Sequence, residues 1–198
     1  MATIRANPFF RFTPTKIPLQ AGKLLVSVPL TGNFFFDRSV VLLVEHNEEG
    51  SFGITLNKNL PLSLKDIFPE THNEHIPVFW GGPVEADNLF FLHSYGDLLQ
   101  GSIPVTPTIY YGASATDLLH SIKKELLDES LIRCYLGYAG WTSGQLEEEV
   151  KQKLWVISDC DEKNIFGKDN NLCWNGVVES LGSDFSFWLN TPEEPYWN

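Results

Sequence analysis

Residues 137–145 have the types and the spacing that could bind a small ligand. They follow an apolar run, precede a helical pattern, and read Gly137, Tyr138, Ala139, Gly140, Trp141, Thr142, Ser143, Gly144 and Gln145. Small residues let the backbone approach another group closely, and amides and hydroxyls at a helix start can hold an anion or a carboxylate. The competing interpretation is a packed turn, whose glycines solve a steric problem and whose Thr142 caps its own helix.

Two histidines, His46 and His93, stand at the ends of strand-like runs, where either could act as a general base. A histidine beside Thr142, Ser143 and helix-terminal amides would suit a hydrolase or a transferase that stabilises an oxyanion or a phosphate. The alternative is that both histidines satisfy backbone groups at strand ends. A histidine pair at positions 72 and 75 lies in a polar loop, but a metal site needs three or four ligands. We therefore predict no metal and no cofactor.

Common catalytic and phosphate-binding fingerprints are missing from the chain. The segment from Gly140 to Gly144 resembles the GxSxG elbow of serine hydrolases, but its serine stands one place too late. Neither GxxxxGK[ST] nor GxGxxG occurs. The carboxylates at 147–149 point about 100° apart on a helix, which predicts a solvated face. Four tryptophans in apolar strings are predicted to lie in the core: Trp80, Trp155, Trp174 and Trp188.

Composition and charge limit the classes of function. The 198 residues carry 25 acidic and 14 basic side chains, for a net charge of −11. Such a balance argues against direct binding to nucleic acid and against docking on an anionic membrane. The three cysteines are widely spaced, which predicts reduced thiols in a cytoplasmic protein. We expect no secretory signal, because the first 25 residues contain no apolar run followed by a cleavage site, and no apolar run is long enough to span a membrane.

The elements that must position these residues are mainly short strands. Apolar runs predict strands at 24–28, 78–80, 89–93, 132–138 and 155–158, and alternation predicts a hairpin over 40–57. Gly81, Gly82 and Pro83 predict a sharp corner between two of the strands. Residues 1–20 contain prolines and phenylalanines, and we expect them to lie on the body as an arm.

Helices are predicted in fewer places. Ser63 can cap a short helix over 64–68, and an apolar stripe that includes Leu118, Ile122 and Leu126 predicts a helix after Ser114. The T-x-x-Q spacing from Thr142 predicts a capping box for the next helix. Another amphipathic stretch covers 174–181, and a frayed tail is expected from 191 to 198. Without a linker or a repeat, 1–198 is predicted to be a single domain.

Several blocks of residues follow one another in order along the chain. The blocks are Gly22-x-Leu24-Leu25-Val26-x-x-Pro29, Phe36-x-x-Ser39-Val40-Val41, Glu45-His46-Asn47, Gly53-x-x-x-Asn57-Lys58, Gly81-Gly82-Pro83, Phe90-x-Leu92-His93, and Gly137-Tyr138-Ala139-Gly140-Trp141-x-x-Gly144-Gln145-Leu146-Glu147-x-Glu149 with Trp155. Together these blocks resemble the YqgE/AlgH family of bacterial proteins. The resemblance implies an α+β single domain, whose mostly antiparallel, bifurcated sheet curls into a pseudo-barrel with flanking helices. The biochemical function of that family is unknown, and some members are labelled transcriptional regulators.

Two positions depart from the family pattern. Asn33 and Phe34 stand where many relatives have aspartate and proline, so any role of that carboxylate is lost here. Gly140 stands before Trp141, at a position where serine occurs in relatives. Both departures weaken an enzymatic interpretation and leave a role for Trp141 and Gln145 untouched.

The leading hypothesis is a cytoplasmic regulatory or accessory protein that binds a small molecule, anionic or carboxylate-bearing, or a protein partner. In this hypothesis the 137–145 segment, the corner at 81–83, and His46 or His93 line one concavity. The alternative is a hydrolase or a transferase with a histidine base and an anion-binding helix N-terminus. Direct nucleic-acid binding, the third hypothesis, would need a basic face built from Lys123, Lys124, Arg133, Lys151 and Lys153.

Overall fold

Ten strands form the centre of the structure, a computed structural model that describes residues 12–33, 35–71, 76–161, 163–166 and 174–191. Apolar and β-branched runs form the buried strands. Along the chain they are β1 (Leu24–Ser27), β2 (Val40–Asn47), β3 (Gly50–Thr55), β4 (Asn59–Ser63), β5 (Pro77–Trp80), β6 (Val84–His93), β7 (Ser102–Pro104), β8 (Tyr110–Gly112), β9 (Ile132–Thr142) and β10 (Trp155–Ser158).

Five short α-helices flank the strands in these residues, and four 3₁₀ segments accompany them. The helices are α1 (Leu64–Ile67), α2 (Ala115–Lys123), α3 (Gln145–Lys151), α4 (Lys163–Phe166) and α5 (Trp174–Ser180), and the 3₁₀ segments are Pro69–Thr71, Gly96–Leu98, Glu129–Leu131 and Ser183–Asn190. Ser63 and Ser114 begin α1 and α2 as predicted. The prediction that Leu126 continues the stripe of α2 is wrong, because the helix ends at Lys123 and Leu126 is 67% exposed.

Most strand pairs are antiparallel, in the order β10-β1-β2-β3-β9-β6-β8-β7. The long strand β9 divides the sheet into two branches. Its first half pairs with β5 in parallel and with β6 in antiparallel orientation, whereas its last four residues pair with β3. β4 extends the β5 branch. The predicted α+β fold with a bifurcated, curled, mostly antiparallel sheet is therefore confirmed.

The two faces of the sheet belong to different hydrophobic clusters because side chains alternate along each strand. In β2, Val40 and Leu42 enter the largest cluster, on the inner face of the curl, whereas Val41 and Leu43 pack with Leu146 of α3 on the outer face. A third cluster lies between the β5–β6–β9 branch and helices α1 and α2. Both faces of the curled sheet are thus packed over most of their area.

The C-terminal segment covers much of the inner face. The rings of Trp174 and Trp188 stack at 6.1 Å, and the Trp174 indole donates to the Ser27 carbonyl at 2.9 Å. The rings of Trp188 and Phe12 meet edge-to-face at 5.4 Å, so the described part of the N-terminal arm lies on the body. The prediction that the frayed tail starts at residue 191 is wrong for Thr191, which is buried and accepts a hydrogen bond from Arg38. Residues 1–11 and 192–198 lie outside the described part.

Candidate functional site

Gly137 and the two glycines of the corner at 81–83 serve one steric purpose. The chain passes from β5 to β6 across the backbone of β9, so that the two strands lie on opposite edges of β9. A Cβ on Gly82 would lie 2.0 Å from the carbonyl carbon of Tyr138, and one on Gly137 would lie 2.2 Å from the Gly82 oxygen. A Cβ on Gly81 would lie 2.2 Å from the Gly137 oxygen, and the Gly81 amide donates to the Leu136 carbonyl at 2.7 Å. The packed-turn interpretation therefore explains these glycines, with Pro83 leading into β6.

Trp141 and Gln145 belong to a hydrogen-bond network on the outer face, centred on Glu149. One carboxylate oxygen of Glu149 accepts from the indoles of Trp141 at 2.8 Å and Trp155 at 2.7 Å. The other oxygen accepts from the Gln145 amide at 3.0 Å. The prediction of a solvated face is thus wrong for Glu149, because two long indole side chains reach the edge of α3. The network fastens α3 to β9 and β10.

Thr142 and Ser143 are both engaged in local hydrogen bonds. Thr142 donates through its amide and its hydroxyl to the Gln145 side chain, and the Ser143 hydroxyl donates to the Glu48 carbonyl at 2.7 Å. The prediction that Thr142 caps α3 is wrong, because Thr142 is still part of β9. The N-cap of α3 is Gly144, which has a left-handed backbone conformation. Helix α3 has seven residues and already carries Glu147 in its first turn, so its N-terminus is a poor site for an anion.

His46 lies near this segment, on the β2–β3 hairpin. Its Nδ1 lies 2.8 Å from the Ser51 hydroxyl, and its Nε2 lies 3.8 Å from a carboxylate oxygen of Glu147. Ser51 is the residue opposite His46 in the hairpin and is itself buried. In the described residues no hydrogen bond joins a histidine to Thr142 or Ser143, so the pairing that the hydrolase or transferase alternative needs is not formed in this structure.

His93 lies far from the other candidate residues. It pairs with Ile132 at the start of β9, whereas Thr142 is the last residue of this 11-residue strand. The imidazole is buried, stacks on Tyr110 at 5.9 Å, and lies 3.1 Å from the Ser102 hydroxyl. Burial lowers the pKa of His93, which favours the neutral ring. The expectation that His93 joins the concavity is not met, and its contacts are those of a structural histidine.

An open groove of about 730 Å³ lies where the β2–β3 hairpin, β6, β8 and the end of β9 meet. Of the predicted site residues, Tyr138, Gly140, Trp141 and Thr142 line the groove, and His46 flanks it through its contact with Ser51. The other lining residues are Glu45, Asn47, Glu49, Gly50, Ser51, Phe52, Val84, Glu85, Phe90 and Tyr111. Part of the predicted concavity thus exists, on the inner face of the sheet.

Four aromatic side chains from four strands form the floor of this groove. Phe52 contacts Tyr138 edge-to-face at 4.7 Å and Tyr111 at 5.0 Å, and Phe90 lies 5.7 Å from Tyr138. All four rings are half-buried, so each keeps part of its surface toward solvent. Sequence reasoning identified Tyr138 alone, because nothing local shows that Phe52, Phe90 and Tyr111 meet. We call these four residues the aromatic floor.

The rim of the groove is acidic. Glu45, Glu49 and Glu85 are exposed lining residues, and no lysine or arginine is among the fourteen residues that line the groove. Asn47 donates to Glu45 at 2.6 Å, and Asn88 donates to Glu85 at 2.7 Å, which orients both carboxylates. Burial, followed by the nearby charge of Glu85, raises the pKa of Tyr111 to about 12. The acidic rim argues against the anionic ligand that the sequence suggested.

Other kinds of site find little support in the described residues. They contain no cluster of three or more His, Cys, Asp or Glu side chains placed to hold a metal ion, and the histidines at 72 and 75 lie outside them. Burial raises the pKa of both Cys134 and Cys160 to about 12, so neither thiol is activated. In the same residues no helix is both long and apolar enough to cross a membrane.

Comparison with known proteins gives consistent matches along most of the chain. A family model described as AlgH-like matches residues 24–186. A UPF0301 protein of Bacteroides thetaiotaomicron is 35% identical over 193 residues, which cover 97% of this chain and 98% of the relative. A UPF0301 protein of Parabacteroides distasonis is 36% identical and covers 92% of each chain.

Two solved structures share the fold. The solution structure of the AlgH protein from Pseudomonas aeruginosa has a TM-score of 0.68 at 26% identity, and covers 91% of this chain and all of that one. A crystal structure of a protein from Corynebacterium diphtheriae has a TM-score of 0.74 at 20% identity, and covers 92% of this chain and 97% of that one. The curved, branched sheet is thus common to these proteins, and none of their names states a biochemical activity.

Proposed function

We propose, from the premise that this chain belongs to the AlgH-like family of UPF0301 proteins, that it is a regulatory or accessory protein that binds a ligand in the open groove. The names of its relatives state no reaction. Function must therefore be argued from the site, since a fold alone does not specify an activity.

The observation that carries the proposal is the uncovered aromatic floor. Elsewhere the inner face of the sheet is closed by α5, the 3₁₀ segment Ser183–Asn190 and Phe12. At the groove, Phe52, Phe90, Tyr111 and Tyr138 keep part of their surface exposed although they pack on the same cluster. Concave sites lined by aromatic rings with a few polar groups are typical of ligand binding.

The size of the groove favours a small molecule over a large partner. Small-molecule sites commonly measure about 300–1,000 Å³, and this groove measures about 730 Å³. A protein partner would have to insert a side chain or a short loop. We place the protein in the cytoplasm, where thiols such as Cys134 and Cys160 remain reduced.

Direct binding to nucleic acid has less support. Of the five basic candidates, Arg133 is buried and lies over the Phe166 ring, and Lys153 donates to the Phe12 carbonyl at 2.8 Å. Lys151 forms an ion pair with Glu148. With a net charge of −11, the protein would regulate transcription indirectly, through its ligand or a partner.

An amide NMR titration tests the proposal. Isotopically labelled protein is titrated with pools of nucleotides, sugar phosphates, carboxylic acids, amines and neutral polyols, while the amides of Gly50, Phe52, Gly140 and Thr142 are followed. We expect localised, saturable shifts in these amides from at least one pool. Shifts confined to another surface, such as the exposed side of α2, would show that the groove is not the binding site.

A further inference from the structure

We propose that the groove binds a small organic cation, with its ammonium or guanidinium group held over the aromatic floor and between the rim carboxylates. This inference rests on the proposed function, since it names the chemical class of the ligand at the same groove.

The first support is the aromatic floor itself. The electron-rich faces of phenylalanine and tyrosine rings attract a cation within about 6 Å of the ring centre. Neighbouring rings of the floor lie 4.7–6.3 Å apart, among Phe52, Phe90, Tyr111 and Tyr138. Because these rings pack against one another, a cation seated on the floor lies near more than one ring.

The second support is the charge around the floor. Glu45 and Glu49 lie on the hairpin side, and Glu85 lies on the β6 side, so carboxylates face the groove from two walls. No basic side chain among the lining residues neutralises them. A cleft lined by one sign of charge concentrates ligands of the opposite sign.

The backbone at Glu85 sets the position of this carboxylate. Glu85 has a φ of 49°, in the left-handed region that side chains other than glycine rarely adopt. It starts a bulge in β6, where Val84 pairs with Tyr138 but the next pair joins Leu89 to Leu136. The bulge brings the Glu85 carboxylate close enough to Tyr111 for its charge to act on the Tyr111 hydroxyl.

The occupant is a free small molecule rather than a basic protein segment. The groove has the volume of a small-molecule site, and its acidic rim is limited to three carboxylates on two short walls. A basic peptide would require acidic residues that continue along a longer track. The ligand class is therefore an amine, a quaternary ammonium compound or a guanidine.

Choline and its neutral isostere 3,3-dimethylbutan-1-ol form the central pair of probes, because they differ in charge and match in shape. Agmatine and putrescine are the other two cations. Acetate is the anionic control, and the tripeptide acetyl-Ala-Arg-Ala-amide represents a basic protein segment. Binding is measured by the shifts of the Gly50, Phe52 and Gly140 amides. We expect at least one of the three cations to shift them, and to bind at least 10-fold more tightly than dimethylbutanol and acetate.

Three variants locate the effect. Glu85→Gln lies on the exposed rim and should weaken cation binding about 3- to 10-fold with little effect on dimethylbutanol. Phe52→Leu keeps an apolar side chain without a ring, and should reduce the preference for the cation over the isostere. Glu148→Gln removes an exposed carboxylate from α3, outside the groove, and should leave binding unchanged, which controls for the net charge of the protein.

The outcomes separate the two proposals. If dimethylbutanol or acetate shifts the groove amides as strongly as choline, the groove binds a ligand but the cation assignment is wrong. If the arginine tripeptide binds more than 10-fold more tightly than agmatine, a protein partner replaces the small molecule. If neither these probes nor the broader pools shift the groove amides, both proposals are wrong.

Discussion

Replacing Glu149 with alanine tests whether the family motif around Trp141 is a structural fastening. Both indoles that donate to Glu149 are nearly buried, with Trp141 6% and Trp155 5% exposed. An alanine at 149 leaves these two donors, and the Gln145 amide, without their acceptor. The hydrogen bonds are charge-assisted and short, so their loss is larger than that of a neutral pair.

The expected cost follows from these contacts. A buried donor left without a partner costs about 1–3 kcal/mol, and partial access of water to the half-buried carboxylate site lowers the sum for two indoles to about 3 kcal/mol. In a domain of this size each kcal/mol lowers the Tm by about 2–4 °C, so Glu149→Ala should lower it by about 6–12 °C. Glu149→Gln keeps one oxygen for the indoles but opposes its amide to that of Gln145, so its stability should fall between those of the wild type and the alanine variant.

Urea denaturation followed by far-UV circular dichroism measures the free energy of unfolding. Glu148→Ala, one position away on an exposed part of α3, is the matched control and should cost less than about 0.5 kcal/mol. The indole N–H resonances of Trp141 and Trp155 should both move in Glu149→Ala and stay in place in the control. Equal stability of the two alanine variants would refute the account of the motif as a fastening of α3.

Three further predictions follow from buried groups. Gly82→Ala should prevent folding or lower the free energy of unfolding by more than about 4 kcal/mol, because its Cβ would lie 2.0 Å from the Tyr138 backbone. Gly144→Ala has open space around it and should cost only about 1–2 kcal/mol, for its left-handed backbone. Denaturation curves of the two variants measure the difference. Because burial lowers the pKa of His93, the unfolded chain binds a proton more readily than the folded protein, so stability should fall as the pH drops below about 6.5. His93→Gln should reduce the slope of stability against pH by at most about 1.4 kcal/mol per pH unit. An unchanged slope would contradict the assignment of His93 as a buried neutral histidine. The Cys134 thiol, buried and with its pKa raised to about 12, should react with iodoacetamide at pH 8 only after unfolding, as peptide mass mapping would show; rapid labelling of the native protein would contradict its burial.

Local patterns predicted most of the elements. Alternation in the hairpin indicated β2 and β3, and hydrophobic spacing indicated the core of α2 at Leu118 and Ile122. The helix that follows β9 was expected to start at a Thr142 cap, but a strand with a paired partner extends through that residue. Tertiary pairing overrode the local capping signal there.

The site was harder to predict because it depends on strand order. Phe52, Phe90 and Tyr111 lie on strands far apart in sequence, and they meet because β3, β9, β6 and β8 are successive neighbours in the sheet. The glycines at 82 and 137 indicated a close backbone approach without indicating which strand is crossed. The helix pattern predicts a solvated Glu149, which is wrong because the partners of Glu149 are two indoles from different strands and are not recognisable from the helix alone.

The central claim, that ligand binding takes place in the groove, is tested most directly by filling the groove. Gly140 lines it and is exposed, and the atoms nearest to a Cβ added at Gly140 belong to the side chains of Tyr138, at 3.2 Å, and Val84, at 3.6 Å. Gly140→Leu can therefore occupy the groove without a clash against the backbone. Gly176→Leu, on an exposed part of α5 with open space around it, is the matched control.

The measurement is the amide titration of both variants with the compound that shifts the wild-type protein most. We predict that Gly140→Leu weakens binding at least 10-fold while its Tm stays within about 2 °C of the wild type, and that Gly176→Leu binds normally. Unchanged binding by a folded Gly140→Leu variant would contradict the claim and place the ligand on another surface.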